Sequence, residues 1–289
     1  MVLDAQIKQQ VKEFYDQVGW REVSEGVYQN AHYEDLRPVS REYIHRCHMR
    51  VIRHLKPSGC YLLDAGSGPI QYPEYLEFSR NYSSRVCLDI SAVALMEARK
   101  RIGDHGLYVV GDIAHLPFKS ECFDGVVSLH TIHHIPEEEH LAAYLELYRS
   151  LAPGSNGVVV NGWPSSRLMR WANPIIRLSH RLQWIFASKN EKINPDEVKG
   201  DYIGKPKPGE PKGTFTRKLG VGWMKNTLAK QMPITILVWR SVSVRFMRAL
   251  IHPWLGGRMW LRILFWLEEC FPKYFGENGQ YPLVVIKKE

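Results

Sequence analysis

An apolar run that ends in an acid and then in two glycines constrains this chain more than any other feature. The run is Tyr61-Leu62-Leu63-Asp64-Ala65-Gly66-Ser67-Gly68-Pro69. Apolar residues ahead of an abrupt glycine turn predict a buried strand that ends at the carboxyl edge of a parallel sheet, where doubly wound folds bind ligands. Glycines there let a ligand approach the main chain. The segment therefore predicts an α/β fold with a ligand site after its first core strand.

Two further apolar runs also end in an acid. They are Val86-Cys87-Leu88-Asp89-Ile90 and Leu107-Tyr108-Val109-Val110-Gly111-Asp112-Ile113. In open α/β sheets, an acid about 20 residues after the glycine loop accepts hydrogen bonds from ribose hydroxyls. Asp89 lies 21 residues after Gly68. The three strands together predict recognition of an adenosine group.

The glycine loop does not fit the dinucleotide-binding fingerprint. That fingerprint is Gly-x-Gly-x-x-Gly, in which a helix N-terminus holds a pyrophosphate. Counting from Gly66, the third glycine would fall at Gln71. Asp64 would also lie beside the diphosphate, and a carboxylate repels phosphate. A cationic ligand suits this loop better than a dinucleotide.

Four motifs follow one another along the chain. They are Asp64-Ala65-Gly66-Ser67-Gly68, then Asp89, then Gly111-Asp112-Ile113-Ala114-His115-Leu116-Pro117-Phe118, then Phe123-Asp124-Gly125-Val126-Val127-Ser128 with His133-His134. Their order resembles that of the class I S-adenosylmethionine-dependent methyltransferases, in particular the small-molecule group related to the quinone-pathway C-methyltransferases, the methyltransferase type 11 family. Leu151-Ala152-Pro153-Gly154 looks like the helix-to-strand turn that follows them.

This resemblance implies S-adenosyl-L-methionine as the cofactor and assigns residues to it. The loop with Asp64 would face the aminocarboxypropyl arm, Asp89 the ribose hydroxyls and Asp112 the adenine amino group. The residues assigned to the cofactor are Asp64, Ala65, Gly66, Ser67, Gly68, Asp89, Ile90, Asp112, Ile113, Ser128 and Tyr15. An acid at a strand end can instead be only a helix cap or a turn former. The family often has a third glycine where this chain has Ile70, so we expect a reshaped loop.

The pattern of apolar residues predicts one domain with a Rossmann-like sheet of seven mostly parallel strands and flanking helices. By resemblance, the last strand is an antiparallel insertion. The predicted strands are 60–64, 86–89, 107–110, 123–128, 157–161, 234–239 and 281–286, and the predicted helices are 5–18, 40–55, 91–102 and 137–151. The single domain, 1–289, divides into an N-terminal helical lid (1–56), a cofactor-binding core (57–162), an insertion (163–213) and a segment that completes the sheet (214–289).

Charge and aromatic residues are concentrated in the C-terminal half. Residues 1–160 have a net charge of −5, and residues 161–289 have +13. Arginines and tryptophans fill the insertion 163–213, which ends in a Lys/Pro/Gly loop, and aromatic residues fill a second insertion, 244–276. Helices that cap the substrate are one interpretation. The other is a surface for an anionic substrate or a membrane interface, or a pocket for a long apolar acceptor.

Three histidines follow the fourth predicted core strand, in His130-Thr131-Ile132-His133-His134. This position is the carboxyl edge of the sheet, where an acceptor would meet the methyl group. We predict His133 as the base or the acceptor-orienting group and His130 as the next candidate, because imidazole exchanges protons near neutral pH. His134 is expected to pack against the following helix. No carboxylate or cysteine accompanies the histidines with ligand spacing, so no metal is predicted.

The sequence favours methyl transfer to a small acceptor that is hydrophobic or linked to a lipid or sugar. A histidine base favours O-methylation, while C-methylation of a quinone or isoprenoid stays open. Another alternative is a noncatalytic binder of S-adenosylmethionine or a nucleoside. Nucleic acid is disfavoured despite the basic pI of about 9.2, because no binding module or Asn-Pro-Pro-Tyr-type signature is present. Scattered cysteines and an N-terminus without a secretory h-region predict a cytoplasmic protein, with membrane contact at most peripheral.

Overall fold

A seven-stranded sheet forms the centre of the computed structural model, which describes residues 2–24, 27–28, 34–186 and 214–289. The strands are β1 (Gly59–Ala65), β2 (Tyr82–Asp89), β3 (Gly106–Val110), β4 (Phe123–Leu129), β5 (Leu151–Val160), β6 (Ile234–Arg240) and β7 (Tyr281–Lys287). All seven predicted strands are therefore present. A short antiparallel pair, Glu22–Ser24 with Val27–Tyr28, was not predicted.

The strand order across the sheet is β3-β2-β1-β4-β5-β7-β6. Strand β7 pairs antiparallel with both of its neighbours, and the other pairs are parallel. The carboxyl ends of β1 to β6 and the start of β7 therefore meet at one edge. This topology confirms the predicted mostly parallel sheet and places the three acidic strand ends side by side.

The centre of the sheet is buried on both faces, as parallel sheets require. Leu63 and Val126 face one apolar cluster, and Leu62 and Val127 face the other. The nearly continuous apolar runs that predicted these strands arise from this double burial.

Helices flank the sheet, and their bounds are α1 (Val2–Phe14), α2 (Arg41–His48), α3 (Ala92–Ile102), α4 (His140–Ser150), α5 (Arg167–Phe186), α6 (Val221–Asn226), α7 (Val244–Leu250), α8 (Gly257–Cys270) and α9 (Pro272–Asn278). The predicted first helix ends as a wider π turn at Tyr15–Gly19, and the second ends as a 3₁₀ turn at Val51–His54.

The helices of both insertions pack together beside the sheet. Helices α2, α5, α7 and α8 share a small apolar core that includes Tyr43, Met247 and Phe265. Glu268 of α8 is fully buried, accepts a hydrogen bond from the Tyr43 hydroxyl at 2.7 Å and pairs with Arg50 at 2.9 Å. Its carboxylate also accepts from the Ser241 N–H at 2.9 Å, directly after β6. The second insertion therefore fixes the end of a core strand. The Lys/Pro/Gly loop of the first insertion lies outside the described residues.

Candidate active site

A cavity of about 520 Å³ opens at the carboxyl edge of the sheet, a size typical of small-molecule sites. One part, the motif half, is lined by Lys8, Tyr15, Trp20, Asp64, Gly66, Ser67, Gly68, Asp89, Ile90, Asp112 and Ile113. The other part, the aromatic half, is lined by Glu34, Tyr72, Tyr75, His130, His133, Lys218, Trp239, Arg240 and Tyr281. The two halves are continuous, so a ligand in one can contact a ligand in the other.

The glycine loop has the backbone conformation that its sequence requires. Gly66 and Gly68 have φ angles of 76° and 55°, which other residues rarely adopt. A Cβ on Gly66 would clash with the Thr131 side chain, and one on Gly68 would lie 3.0 Å from the Trp20 ring. Both glycines therefore let neighbouring side chains close around the loop.

Asp89 holds this loop from the end of β2. Its carboxylate accepts hydrogen bonds from the Gly68 N–H and the Ser91 N–H, both at 2.9 Å. Burial, which outweighs these two hydrogen bonds, raises the pKa of Asp89 to about 6. The bond to Ser91 is the turn-forming role that the sequence left open, while Ser91 itself caps α3 through the Ala94 N–H.

Ile70 adopts a left-handed conformation, with φ of 57°, at the position where the family often has glycine. For a β-branched residue this conformation is strained, at a cost of roughly 1–2 kcal/mol. Its side chain is fully buried, and its carbonyl accepts a hydrogen bond from Arg101 at 2.7 Å. The chain therefore keeps the glycine-like backbone and fills the space with an apolar side chain.

Asp64 is not the isolated carboxylate that its sequence position suggests. The buried Arg85 of β2 donates to Asp64 Oδ2 through both Nε and Nη2, and Asp64 also lines the cavity. Because Arg85 compensates this charge, the preference of the loop for a cation is weaker than the sequence indicates. Arg85 was missed because it lies within an apolar strand.

Asp112 is bound from the N-terminal helix. Lys8 Nζ lies 2.5 Å from Asp112 Oδ2 and also contacts Glu139, and Asp112 Oδ1 accepts from the Ala114 N–H at 2.9 Å. Asp112, Glu139 and His115 lie close enough to share a metal ion. The Lys8 ammonium already bridges the two carboxylates, so its charge satisfies this cluster.

The N-terminal segment covers the motif half through two aromatic rings. Tyr15 and Trp20 stack with their centroids 4.9 Å apart. His134 Nδ1 lies 2.8 Å from the Phe215 carbonyl, which can only accept, so Nδ1 carries the proton. The Tyr15 hydroxyl, 2.8 Å from His134 Nε2, therefore donates to that nitrogen. His134 thus links the N-terminal segment to the chain ahead of α6. The sequence predicted only packing against the following helix for this residue.

His133 has the geometry of a neutral base. Its Nδ1 lies 3.0 Å from the Asn161 side-chain oxygen, an acceptor, so Nδ1 carries the proton and Nε2 keeps a lone pair. Burial and the neighbouring His134 lower the pKa of His133 well below its ordinary value. The ring is therefore unprotonated at neutral pH and lines the cavity with an acceptor nitrogen available.

His130 differs from His133 in its surroundings. Its ring meets the rings of Trp239 and Tyr281 edge-on, with centroid distances of 5.0 and 5.7 Å. Burial and the Arg240 charge lower the pKa of His130 to about 3. Its φ of 57° turns the chain sharply after β4. The described residues provide no hydrogen bond to this ring, so it is placed by packing.

Buried charges form the far wall of the aromatic half. Arg240, at the end of β6, pairs with Glu34, and its guanidinium lies over the Trp239 and Tyr281 rings. Burial opposes ionisation of Glu34, but Arg240 and His48 lower its pKa to about 2. The pair is therefore ionised. Sequence analysis missed Arg240, although it follows an apolar run in the same way as Asp64, Asp89 and Asp112.

Two residues assigned to the cofactor lie away from the cavity. Ala65 and Ser128 are fully buried and do not line it. Each lies just before the point where its strand leaves the sheet, and its side chain turns into the interior. Ser128 Oγ is buried without a hydrogen-bond partner among the described residues. Asp64 and Gly66, on either side of Ala65, line the cavity, and so does Leu129, one residue after Ser128.

Comparison with known proteins finds a methyltransferase domain in the part of the chain that carries the glycine loop. Residues 63–159 match the family described as "Methyltransferase domain". The chain is 28% identical over 168 residues to phthiotriol/phenolphthiotriol dimycocerosates methyltransferase 1 of Mycobacterium ulcerans (strain Agy99). It is 28% identical over 163 residues to the corresponding methyltransferase of Mycobacterium leprae (strain TN). Each match covers 56% of this chain and 57% of the relative, so the chain matches little more than half the length of either.

A solved structure supports the fold over almost the whole chain. Geranyl diphosphate C-methyltransferase from Streptomyces coelicolor A3(2) superposes with a TM-score of 0.51 at 14% identity, covering 98% of each chain. That structure contains Mg²⁺, geranyl diphosphate and S-adenosyl-L-homocysteine. At this identity the likeness concerns the fold. Residues 63–159, which hold the glycine loop, Asp89 and Asp112, are therefore similar to a methyltransferase domain.

Proposed function

We propose that this protein transfers a methyl group from S-adenosylmethionine to a small acceptor that is hydrophobic or linked to a lipid or sugar. The observation that carries the proposal is the continuity of the cavity between its motif half and its aromatic half. Asp89 and Asp112 would hold the adenosine at one end, and His133 would lie next to the acceptor. In-line displacement depends mainly on holding donor and acceptor in a reactive geometry, which such a cavity provides.

The lining of the aromatic half supports a hydrophobic acceptor. Tyr72, Tyr75, Trp239 and Tyr281 contribute rings to it, and aromatic walls favour apolar ligands. Both curated relatives are named for methylation of phthiotriol and phenolphthiotriol dimycocerosates, which are lipid-like. This chain would accept a molecule of that general character.

His133 favours oxygen as the methylated atom. A hydroxyl must lose its proton during transfer, and the free Nε2 of His133 can accept it while Asn161 keeps the ring oriented. C-methylation of a quinone or isoprenoid is the main alternative. It would need a base that removes a proton from a carbon atom instead of from a hydroxyl.

The exposed face of α5 supports delivery of the acceptor at a membrane surface. Trp171, Ile175 and Leu178 are 85%, 59% and 57% exposed and lie at helical spacing on one stripe. Arginines 167, 170, 177 and 181 are exposed on the same helix, which contains no acidic residue, and they form no ion pair with the described residues. Tryptophan and arginine together favour an anionic lipid interface. No helix among the described residues is both long and apolar enough to span a membrane.

The proposed function is tested by binding first and by turnover second. Calorimetry should show S-adenosylmethionine and S-adenosylhomocysteine binding, with no comparable binding of NADH. Methyl-labelled cofactor should then label a phenolic, glycolipid or quinone acceptor in a screen. His133→Ala should lower turnover about 10²–10⁴-fold with little change in cofactor affinity, while His252→Ala, outside the cavity, should match wild type. Cofactor binding without transfer to any acceptor class would favour the noncatalytic alternative, and labelled nucleic acid would favour a nucleic-acid methyltransferase.

A further inference from the structure

Lys218 is a cation in the cavity wall that nothing described so far uses. It lies in the segment 214–220 that leads into α6, and it lines the aromatic half. Within the ranges that the structure describes, its ammonium has neither a carboxylate nor a hydrogen-bond partner. Partial burial without a compensating charge lowers the pKa of Lys218. An unpaired ammonium in such a place is unfavourable unless a ligand compensates it.

The ammonium shares the aromatic half of the cavity with the two candidate histidines. Lys218 Nζ would lie 3.1 Å from a Cβ added to Gly162, which places it against the main chain just after β5. Beyond the effect of burial, its charge contributes to lowering the pKa of His130 and of His133. The positive charge and the His133 ring therefore belong to the same part of the cavity.

The other cationic side chains at the cavity are paired with carboxylates. Arg240 is paired with Glu34, and Arg85 is paired with Asp64. Lys8 is paired with Asp112 and Glu139. Among the described residues of the aromatic half, the uncompensated positive charge is that of Lys218, and it amounts to one unit. A ligand with one negative charge would match it, whereas a diphosphate would bring charges that these residues leave uncompensated.

We propose that Lys218 binds the acceptor oxygen as a singly charged oxyanion, so that the acceptor is a phenol or an enol. This inference rests on the proposed methyl transfer and specifies its substrate class. A carboxylic acid is ionised without help and needs no base, whereas a phenol or an enol must lose a proton, and His133 offers an acceptor nitrogen beside Lys218. An ammonium next to the oxygen lowers the pKa of the hydroxyl because it stabilises the charged form.

In the proposed step, the acceptor O–H bond breaks and its proton moves to His133 Nε2. The oxygen, held by the Lys218 ammonium, forms the new bond to the methyl carbon with its lone pair. The sulfur–methyl bond breaks at the same time, and its electron pair returns to sulfur, which gives neutral S-adenosylhomocysteine. The oxyanion charge and the sulfonium charge cancel in the products, and the proton leaves later from His133.

The test uses 4-nitrophenol, whose ionised form absorbs visible light, bound to the full-length protein with S-adenosylhomocysteine. In the wild type the bound probe should ionise at a pH about one unit or more below that of the free probe, a tenfold preference for the phenolate. Lys218→Met, which keeps the length of the side chain but loses its charge, should abolish this shift. Lys218→Arg should retain most of it. Lys225→Met is the matched control, because that lysine pairs with Glu277 on the surface at 2.7 Å.

Each alternative result overturns the proposal. A bound probe that stays neutral in the wild type, no measurable binding of the phenolate, or an unchanged shift in Lys218→Met would remove Lys218 from the acceptor site. Stronger binding of 4-nitrobenzoate than of 4-nitrophenol would exclude a phenol or enol as the acceptor class. Calorimetry of S-adenosylhomocysteine with each variant separates these results from failure of the proposed function, because the cofactor should still bind when Lys218 is replaced.

Discussion

The Tyr15 hydroxyl donates a hydrogen bond to His134 Nε2 across 2.8 Å and so joins the N-terminal segment to the strand edge that carries the candidate catalytic histidines. Its ring also stacks on Trp20, which covers Gly68. One side chain therefore closes the motif half over the place assigned to the cofactor.

We predict that Tyr15→Phe opens this closure without removing the aromatic stack. Loss of one hydrogen bond should weaken S-adenosylmethionine binding by about 1 kcal/mol, roughly fivefold. The change should appear mainly as faster dissociation, measured by stopped-flow displacement, because a lid governs ligand release. Tyr61→Phe, an exposed tyrosine on β1 outside the cavity, is the control. Equal dissociation rates for Tyr15→Phe and wild type would show that the hydrogen bond does not hold the lid.

Cofactor binding should depend on the ionisation of Asp89. Its pKa is raised to about 6 by burial, so the carboxylate that would accept ribose hydroxyls becomes protonated below that pH. Affinity for S-adenosylmethionine should be constant well above pH 6 and fall by up to about tenfold per pH unit below it. Asp89→Asn should bind more weakly, by roughly 1.5–3 kcal/mol, and lose this pH dependence. Calorimetry across pH 5–8 provides both values, and a flat wild-type profile would contradict the assignment.

The raised pKa of Asp89 has the opposite effect on the stability of the protein without cofactor, which should fall as pH rises, whereas cofactor affinity should increase. A carboxyl with a pKa above its ordinary 3.8 binds its proton more tightly in the folded state. The contribution of Asp89 to the free energy of unfolding therefore decreases as pH rises from about 4 to 6. In urea denaturation, the free energy of unfolding of the wild type minus that of Asp89→Asn should therefore decrease from pH 4 to pH 6.

Ile70 offers a direct test of backbone strain. Ile70→Gly and Ile70→Ala remove nearly the same buried side chain, and both should be less stable than wild type by a few kcal/mol. Because φ is 57°, the glycine variant should exceed the alanine variant in stability by about 1 kcal/mol, the reverse of the usual order. The matched pair at Leu62, buried in β1, should show the usual order in urea denaturation. Identical orders at the two positions would mean that Ile70 is not strained.

The α5 stripe should bind anionic membranes. The protein should sediment with vesicles that contain phosphatidylglycerol and phosphatidylcholine, and binding should weaken as salt rises. Replacing Trp171, Ile175 and Leu178 together by serine should abolish most of the binding, whereas Met96→Ser, at an exposed position on α3, should not change it. No sedimentation at low salt, or equal binding to pure phosphatidylcholine, would exclude an anionic lipid partner.

Local sequence patterns were sufficient to locate the seven core strands, because both faces of the sheet are buried and its strands are apolar runs. Acids at strand ends were sufficient to locate the motif half. Ser128 lies one residue before the cavity lining at Leu129, because alternation along a strand decides whether a side chain faces the cavity or the interior.

The residues that sequence analysis missed are those whose partners are distant in the chain. Glu34 and Arg240 are separated by 206 positions, and Lys8 and Asp112 by 104. No local sequence pattern predicts such pairs, because only the folded chain brings the two residues together. Lys218 has no sequence signal at all, because its significance depends on the absence of a neighbouring acid in the described structure.

The contact between Lys8 and Asp112 couples the position of the N-terminal helix to cofactor binding. Lys8 donates to Asp112 Oδ2, an oxygen of the carboxylate that we assign to the adenine amino group. Adenine and the lysine would then compete for one acceptor, so the arrival of the nucleoside would loosen the helix, and its departure would let the helix re-dock. Ionic strength would thus affect the exchange of product for fresh donor, because salt weakens the ion pair between Lys8 and Asp112.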